Sequence, residues 1–576
     1  MQEKEWFAQR NPEIVAARTA AERKRLIDAL LETDPDLLDL FREDLRQAEG
    51  ESHFLRQSLR YPLCGKGDIN TYSIFAEATR SIVRSSGNVG CIVQSGIATD
   101  DTTKEFFQDL INTGSLRYLY DFENREGIFP SVDSRMKFSL LTIGGSSVGA
   151  PAEFVFFAQQ IRDLGDAERR FTLTADDLAL LNPNTRTCPT FRTRRDARLT
   201  ADIYRRVPIL IREGDPDENP WGVRFRTMFH MANDSGLFLT EEQMTGQGYR
   251  RDGNRFTLED RAMLPLYEAK MIHQFDHRWA GYDGLETVDV TTAQKQDPQF
   301  QVMPRYWVPK EAVVERLSRD GGPAPHWLLG WRDICRSTDE RTVISSIIPP
   351  VGVGHTMPLM LTDQQAVLVN CLQAALSSFV LDYSARQKIG GTHLTYGYLN
   401  QLPVLPPDKY LDQSPWDLSL SLANWIIIRA FELNFTSTDL SSLASDLGYS
   451  GAPFTWDTDR RFLLRAELDA AFFHLYGIGR DDVDYILDAF PIVRRKDEAA
   501  HGEYRTKRVI LEIYDALATA ISTGEAYRTR LDPPPALGWT PPEVVLPAAT
   551  AERPFALKMV DGRPQPKLFD LELEDR

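Results

Sequence analysis

The sequence is poor in cysteine and has no long apolar run. No two of its five cysteines are spaced as Cys-x-x-Cys, which argues against a zinc ribbon or a disulfide framework and favours buried thiols in a reducing compartment. Apolar stretches such as Trp425–Ile428 are far shorter than the ~20 residues that cross a bilayer. The first residues are charged and resemble no secretion signal. We therefore expect a cytoplasmic protein with no membrane partner.

Positive charge is also scarce. Lys and Arg total 66 against 83 Asp and Glu, a net charge of −17, which argues against a surface coated with basic residues for non-specific nucleic-acid binding. The segment from Arg186 to Arg212 is the exception, because it holds eight Arg and two Asp, a local net of +6. A chain of 576 residues predicts several domains at ~100–200 residues each.

The first 150 residues predict an α/β layer. After a helical region over residues 1–60, the apolar pattern predicts a helix over 71–83 and a second helix over 101–112. Strands are predicted over 89–93, 116–122 and 137–143. The rhythm of strand, helix and strand indicates mostly parallel strands. The last two strands are joined by a loop without a helix, which predicts an antiparallel pair at the end of the sheet.

The rest of the chain divides by composition. Residues 151–410 are less periodic and rich in Arg, aromatic residues, Gly and Pro, and we expect an α+β domain there. Residues 411–530 return to helical spacing. Residues 531–576 are rich in proline and predict a mostly extended tail that packs on the surface.

Three segments carry a resemblance to a known family. They are residues 65–75, the run Gly-Asn-Val-Gly-Cys-Ile-Val-Gln-Ser-Gly at 87–96, and Leu-Tyr-Asp-Phe-Glu-Asn-Arg at 119–125. Together they resemble N6-adenine DNA methyltransferases, in particular the large single-chain methylases of type IIG restriction–modification and of BREX and DISARM phage defence. The resemblance implies that residues 1–150 form the second half of a Rossmann-like methyltransferase sheet. It also implies that residues 151–410 form a target-recognition domain for double-stranded DNA and that 411–530 form a helical scaffold.

The same resemblance singles out Phe129. The run Gly-Ile-Phe-Pro at 127–130 resembles the methylase loop that holds an aromatic ring against the flipped adenine. A base must leave the duplex before its amine can meet a methyl donor, and a stacking ring offsets part of the unstacking cost. The alternative is that Phe129 is a core aromatic residue at the start of a strand.

Two further segments resemble the DNA-binding part of these methylases. The first covers residues 181–196, where the planar guanidinium fork suits phosphate and guanine, although a solvated helix face with internal ion pairs is the alternative. The second covers residues 383–404 and resembles the end of a TaqI-type target-recognition domain, with structural or phosphate-contacting roles expected. The DNA-binding candidates are Arg186, Arg192, Arg194, Arg195, Arg386, Lys388, Gly390, Gly391 and Thr392.

Two methyltransferase motifs are missing. The chain has no glycine-rich turn for S-adenosylmethionine, and none of its Asn-Pro pairs, at Asn11, Asn182 and Asn219, continues as Pro-aromatic. The resemblance begins almost at Met1. It therefore implies no catalytic, cofactor-binding or metal-binding residue in this chain, and a partner, an N-terminal methylase half, that holds most of the S-adenosylmethionine.

Two alternatives from other classes stay open. One is a DNA-binding specificity subunit without catalysis. The other is a Mg²⁺-dependent nuclease built on Glu268 and Lys270, whose Glu-x-Lys spacing is a weak signal. His273 and His277 would share a face if their segment were helical, but no further metal ligand has clear spacing with them.

Overall fold

The computed structural model describes residues 2–17, 20–67, 69–145, 151–214, 218–318, 322–546, 559–560 and 563–564. The helices are α1 (Glu3–Phe7), α2 (Pro12–Ala16), α3 (Ala20–Thr33), α4 (Pro35–Gln57), α5 (Thr71–Ile82), α6 (Gly96–Thr99), α7 (Lys104–Asn112), α8 (Ala175–Leu181), α9 (Arg194–Arg206), α10 (Glu241–Gly246), α11 (Thr292–Gln296), α12 (Lys310–Leu317), α13 (Ala366–Ser377), α14 (Phe379–Arg386), α15 (Tyr396–Asn400), α16 (Leu422–Asn434), α17 (Ser441–Asp446), α18 (Thr458–Leu475), α19 (Arg480–Asp488), α20 (Pro491–His501) and α21 (Arg505–Thr523).

The strands are β1 (Asn88–Gln94), β2 (Leu116–Glu123), β3 (Lys137–Gly144), β4 (Ala152–Ala158), β5 (Phe171–Leu173), β6 (Arg224–Arg226), β7 (Arg250–Asp252), β8 (Arg255–Leu258), β9 (Arg261–Tyr267), β10 (Ala280–Asp283), β11 (Glu286–Asp289), β12 (Trp307–Pro309), β13 (Leu328–Trp331), β14 (Ser345–Ile348), β15 (Gly352–Val353), β16 (Leu359–Leu361), β17 (Gln413–Ser414), β18 (Asp417–Ser421), β19 (Met559–Val560) and β20 (Arg563–Pro564).

The N-terminal helices form a small cluster with a core of its own. Trp6, Phe7 and Phe41 pack ring against ring at centroid distances of 4.7 to 5.1 Å. Two helix starts are set by local chemistry, because Asn11 and Asp34 accept hydrogen bonds from first-turn amides and each precedes a proline at the first helical position. The helical region expected over residues 1–60 is confirmed.

A five-stranded sheet in the order β1-β3-β2-β4-β5 follows this cluster. β3 is antiparallel to both β1 and β2, so the antiparallel pairing of β2 and β3 is confirmed. Its predicted place at the end of the sheet is wrong, because both strands are interior and β1 forms the edge. The prediction of mostly parallel neighbours is wrong, because only β2 and β4 pair in parallel. β1 and β2, which are connected through α6 and α7, run in the same direction, as a helical crossover requires. They are not neighbours, because β3 lies between them. The fold is α/β as expected, and the sheet continues past residue 150, where the sequence placed a boundary.

The two faces of this sheet differ. One face carries Leu119, Leu141 and Phe154 into the main core, which also takes side chains from α5 and α7. The other face carries a small cluster around Phe122 and Val155. In the described part of the chain, Leu164 is the only residue outside the strands that packs on this cluster. On that face Ile92 of β1 is 58 % exposed and Tyr118 of the central strand β2 is 44 % exposed. We call this face, together with the hydrogen-bonding edge of β1, the open face.

A separate α+β core lies within the range 151–410, for which a target-recognition domain is predicted; that domain assignment stays a prediction. This core covers residues 228–361 and draws on β9, β10, β12, β13, β14, β15 and β16 and the helix α12. The flanking helices α8, α9, α13, α14 and α15 instead share the main core with the C-terminal helices. The chain therefore forms the α+β core after the α/β unit and then returns to the main core.

The C-terminal helices are α16 to α21, as predicted, and α18 and α21 pack side by side. Residues 531–546 contain no helix or strand, and the Trp539 ring packs on Phe431 with centroids 4.8 Å apart. The mostly extended tail over 531–576 stays a prediction. Beyond residue 546, β19 and β20 form an antiparallel pair, and the remaining tail residues lie outside the described part.

No single described helix is both long enough and apolar enough to cross a membrane. Among the described residues, only α13 and α14 taken together have that length and apolarity, and the pair is bent by 56°.

A buried ionic hub joins α14 to the loop that precedes β14. The Asp382 carboxylate is fully buried and accepts hydrogen bonds from Arg341 Nε at 3.0 Å and Arg386 Nε at 2.9 Å. It also accepts the Thr342 and Val343 amides at 2.9 and 3.2 Å. Burial by itself raises the pKa of Asp382, but the two guanidiniums outweigh it and hold the pKa below its ordinary value.

We expect Asp382→Asn to destabilise the fold by about 3–5 kcal/mol, because it leaves two buried guanidiniums without a counter-charge. The measurement is urea unfolding against the exposed Asp408→Asn control. The folded-state pKa of Asp382 lies below the ordinary Asp pKa. The contribution of Asp382 to stability is therefore present above the ordinary pKa and is lost as the pH falls through the folded-state pKa. The deficit should therefore be constant from about pH 5 to 8 and shrink below about pH 4; equal stability of the two variants at pH 7 would contradict the role of the hub.

Candidate functional site

A cleft of about 720 Å³ opens where β1 and β2 end and β3 begins. Its opposite wall is made by residues 336–338 and 390–392. The ionic hub fixes part of this wall, because Arg386 also donates to the Ser337 and Glu340 carbonyls at 3.1 and 3.0 Å. A cleft of this volume at the carboxyl ends of two strands has the size and place of a small-ligand or nucleotide site.

The floor of the cleft holds a buried carboxyl group. Asp121 is 2 % exposed and accepts hydrogen bonds from the hydroxyls of Ser95 and, at 3.1 Å, of Ser139. Burial raises the pKa of Asp121 to about 6, although both hydroxyls and the charge of Lys137 lower it. The group therefore changes charge near neutral pH at the floor of the cleft.

Lys137 joins the floor to the opposite wall. Its Nζ donates to the Gly390 carbonyl at 3.1 Å and lies 3.9 Å from a Glu123 carboxylate oxygen. It also lies 4.6 Å from the centre of the Phe157 ring. Burial lowers the pKa of Lys137, and the carboxylates of Asp121 and Glu123 oppose this. The contact holds the glycine pair against the sheet.

The cleft brings together two sequence-predicted elements that are far apart in the chain. Gly390, Gly391 and Thr392 line one side of the cleft, and residues 133–136 of the loop that carries Phe129 line the other. Neither glycine has a positive φ, and a Cβ at Gly391 would meet nothing within 4 Å. The fold of the chain itself therefore does not require glycine at Gly391, which leaves that backbone open to a partner.

Phe129 does not line the cleft, although residues 133–136 of the same loop do. Its ring is 36 % exposed and packs edge-on against Phe138, with centroids 4.9 Å apart. Phe138 in turn stacks on Phe122 at 5.3 Å, on the same side of the sheet as the open face. This exposure does not fit the alternative of a buried core aromatic, and it leaves the ring available for a contact outside the chain.

Arg386 and Lys388 must be withdrawn from the predicted DNA contacts. Arg386 is 6 % exposed and its donors are used in the ionic hub. Lys388 is 2 % exposed, and its Nζ donates to the Leu181 carbonyl and to Asn182 Oδ1 over the ring of Tyr204. Burial holds the pKa of Lys388 well below its usual range. Of the two roles expected for this segment, the structural one accounts for both side chains.

The arginines of residues 186–195 divide into two pairs. Arg194 donates to the Ala167 and Arg170 carbonyls, and Arg195 pairs with Asp482 at 2.7 Å, so the alternative of internal pairing fits both. Arg186 and Arg192 are exposed, and neither side chain hydrogen-bonds within the described chain. The Arg192 guanidinium lies 4.0 Å from the Phe157 ring centre, beside Lys137. These two arginines remain the DNA-contact candidates of this run.

Sequence reasoning missed most residues of the cleft. Ser95 and Asp121 lie at or near the ends of predicted strands, and Lys137 begins the next one, so strand-end position was a usable signal. Arg336 has an exposed guanidinium with no partner in the described residues and stands in a loop far along the chain. Nothing in the local pattern points to it.

The other candidate clusters do not form sites. His273 and His277 lie in a turn, not on a helix face, and His277 Nε2 lies 2.9 Å from Asp439. Arg305 pairs with Glu268 at 3.2 Å, and Lys270 faces the Tyr282 ring. Across the described ranges, no three His, Cys, Asp or Glu side chains are grouped to hold a metal ion. No observation therefore favours the nuclease alternative.

Comparison with known proteins gives a distant likeness. No family model and no curated protein matches the sequence. Among solved structures, the chain is similar to the type IIL restriction-modification enzyme MmeI in complex with DNA, at 10 % identity over 78 % of this chain and 52 % of that one, with a TM-score of 0.35. It is similar to the type IIG restriction endonuclease BpuSI at 11 % identity over 81 % of this chain and 51 % of that one, with a TM-score of 0.25. The chain spans about half the length of each, and at these scores the likeness identifies no family.

We expect Asp121 to make the stability of the fold depend on pH. Its folded-state pKa of about 6 lies above the ordinary value of about 3.9, so its contribution is fully present below pH 4 and is lost as the pH rises through 6. Relative to Asp121→Asn, the wild type should lose about 2 kcal/mol between pH 4 and 7. Denaturant unfolding over this range measures it, with Asp408→Asn as control. A stability difference that does not change with pH would contradict the assignment.

Proposed function

We propose that this chain is the DNA-recognition and base-flipping half of a site-specific N6-adenine DNA methyltransferase of a restriction–modification or phage-defence system. It binds double-stranded DNA itself. A partner, an N-terminal methylase half encoded by a neighbouring reading frame, supplies the Asn-Pro-Pro-aromatic motif and most of the S-adenosylmethionine site. The observation that carries the proposal is the open face, because the exposed Phe129 ring packs on Phe138 on the same side of the sheet.

The chemistry of the open face fits such a partner. β1 pairs with β3 on one side, and on its other side it presents backbone N–H and C=O groups to any added strand. The exposed Ile92 and Tyr118 on this face favour an apolar cover. A polypeptide that adds a strand and lays helices over the face satisfies both needs. It also places its own residues next to Phe129, where an extruded base needs a second wall.

DNA contacts are assigned to the groups that are free to make them. Arg186, Arg192 and Arg336 are exposed and not paired within the described chain, and Gly390 to Thr392 offer backbone to a phosphate. Arg336 and residues 390–392 line the cleft, whereas Arg186 and Arg192 are not among its lining residues. In a protein of net charge −17, the groups at the cleft favour DNA there.

The direct test is reconstitution. The full chain is mixed with a polypeptide that carries a glycine-rich turn and an Asn-Pro-Pro-aromatic motif, with labelled S-adenosylmethionine and duplex DNA. Methyl transfer is expected only with both polypeptides. Transfer by this chain alone would refute the division of labour, and DNA binding without any partner binding would favour a non-catalytic specificity subunit.

Charge on the open face should block assembly. We expect Ile92→Arg with Tyr118→Arg to weaken partner binding at least tenfold, because two guanidiniums must then be desolvated at the interface (~1.4 kcal/mol per factor of ten). Both side chains are already exposed, so the fold of the chain should tolerate the change. Isothermal calorimetry measures the affinity, with Leu40→Arg, 44 % exposed on α4, as the matched control. Equal affinity of the two variants would place the partner elsewhere.

Loss of the Phe129 ring should affect turnover and spare DNA binding. Stacking contributes ~1–3 kcal/mol per base, so we expect Phe129→Ala to lower turnover of the assembled enzyme by about tenfold to a hundredfold. Single-turnover methylation and a DNA-binding titration separate the two effects. Leu537→Ala, at a tail side chain that is 71 % exposed, is the control. An unchanged rate would contradict the stacking role.

A further inference from the structure

The loop that presents Phe129 is not held by a hydrophobic core. Residues 124–136 join β2 to β3, and Ile128, Val132 and Met136 are 37, 44 and 46 % exposed. Burial of these side chains contributes little to fixing the loop, yet Phe129 can stack on a base only if its backbone has a defined position. Another interaction must therefore hold the loop.

Three hydrogen bonds from one buried amide supply that interaction. Asn124, fully buried at the end of β2, donates through Nδ2 to the carbonyls of Phe129 and Val132, each at 2.9 Å. Its Oδ1 accepts the Phe129 amide, also at 2.9 Å. The side chain thus holds both backbone groups of Phe129 and a third group across the loop.

Backbone bonds complete the arrangement around Asn124. Its own amide donates to the Met136 carbonyl at 3.0 Å, and its carbonyl accepts the Gly127 amide at 3.0 Å. Gly127 has a φ of +69°, a conformation that suits glycine and turns the chain toward Phe129. The Val132 amide donates to the Phe129 carbonyl at 3.0 Å. Asn124 lies at the centre of this loop, with bonds to both of its ends.

We propose that Asn124 is the positioning residue that presets Phe129 for stacking on the extruded base. This inference rests on the proposed function. Only an amide side chain of this length offers two donors and one acceptor at these distances. Because the loop is ordered before DNA binds, the free energy of base flipping does not include the entropy loss of ordering the loop. The Phe129 ring therefore meets the base in a fixed orientation.

The discriminating variant is Asn124→Asp. It keeps the shape and the acceptor for the Phe129 amide, but it removes both donors and points a carboxylate at two carbonyls. The control is Asn233→Asp at an exposed asparagine, which adds the same charge outside the loop. Thermal unfolding of both full-length variants establishes that the fold is retained.

The first readout needs no partner and no DNA. Trypsin cleavage after Arg125 and Arg135, near the two ends of the loop, is expected to be at least tenfold faster in Asn124→Asp than in the wild type or the control. Amide exchange at Val132 should rise by a similar factor. Unchanged cleavage and exchange would show that Asn124 does not hold the loop and would overturn the inference, whatever the function of the protein.

The second readout uses the assembled enzyme and a duplex with 2-aminopurine at the target position. Asn124→Asp is expected to reduce the fluorescence of the extruded base and to lower turnover about tenfold while DNA affinity is unchanged. The double variant Asn124→Asp with Phe129→Ala should be no slower than Phe129→Ala alone, because Asn124 acts through that ring. Additive losses would overturn the inference. If Phe129→Ala has no effect, the stacking role fails and the positioning role fails with it, while the trypsin result still stands as a separate observation on the loop.

Discussion

The arrangement of the cleft depends on the placement of one buried carboxylate. Asp382 gathers two arginines and two backbone amides in the buried interior, where an unmatched charge of either sign is strongly unfavourable. That requirement fixes α14 against residues 336–343, and Arg386 extends the fixation to further carbonyls of the same loop. One wall of the cleft is therefore determined by charge neutralisation, and apolar packing only surrounds it.

The same reasoning changes what the arginine content means. The sequence shows a basic run in an acidic protein, and a run of this kind predicts a nucleic-acid surface. In the folded chain Arg194 donates to backbone carbonyls and Arg195 pairs with Asp482. The Arg336 guanidinium, in a loop with no basic run, is exposed and has no partner among the described residues. A basic segment indicates where charge is concentrated, but the fold decides which of those charges reach the solvent.

Local elements could be predicted from the sequence, and their assembly could not. The strands at 88–94, 116–123 and 137–144 follow from short-range apolar patterns and turn residues, and their ends match the prediction within about two residues. The insertion of β3 between β1 and β2 depends on which strand reaches the free edge, and no local pattern records that. The exposure of Phe129 and the burial of Lys388 both depend on residues distant in the chain. The sequence could therefore suggest an exposed Phe129 only by resemblance, and it could not predict the burial of Lys388.

The open face and the Phe129 loop are connected by the same strands. Phe138 belongs to β3, supports the ring of Phe129 and lies on the side of the sheet where Ile92 and Tyr118 are exposed. In the proposed assembly, a polypeptide that covers this face would contact Phe138, which supports the Phe129 ring, and would lower the dielectric around that ring. Under that proposal, docking of the partner and positioning of the base depend on the same few strands. An assembly built this way would have an ordered aromatic ring before the partner binds, and a closed pocket around it only afterwards.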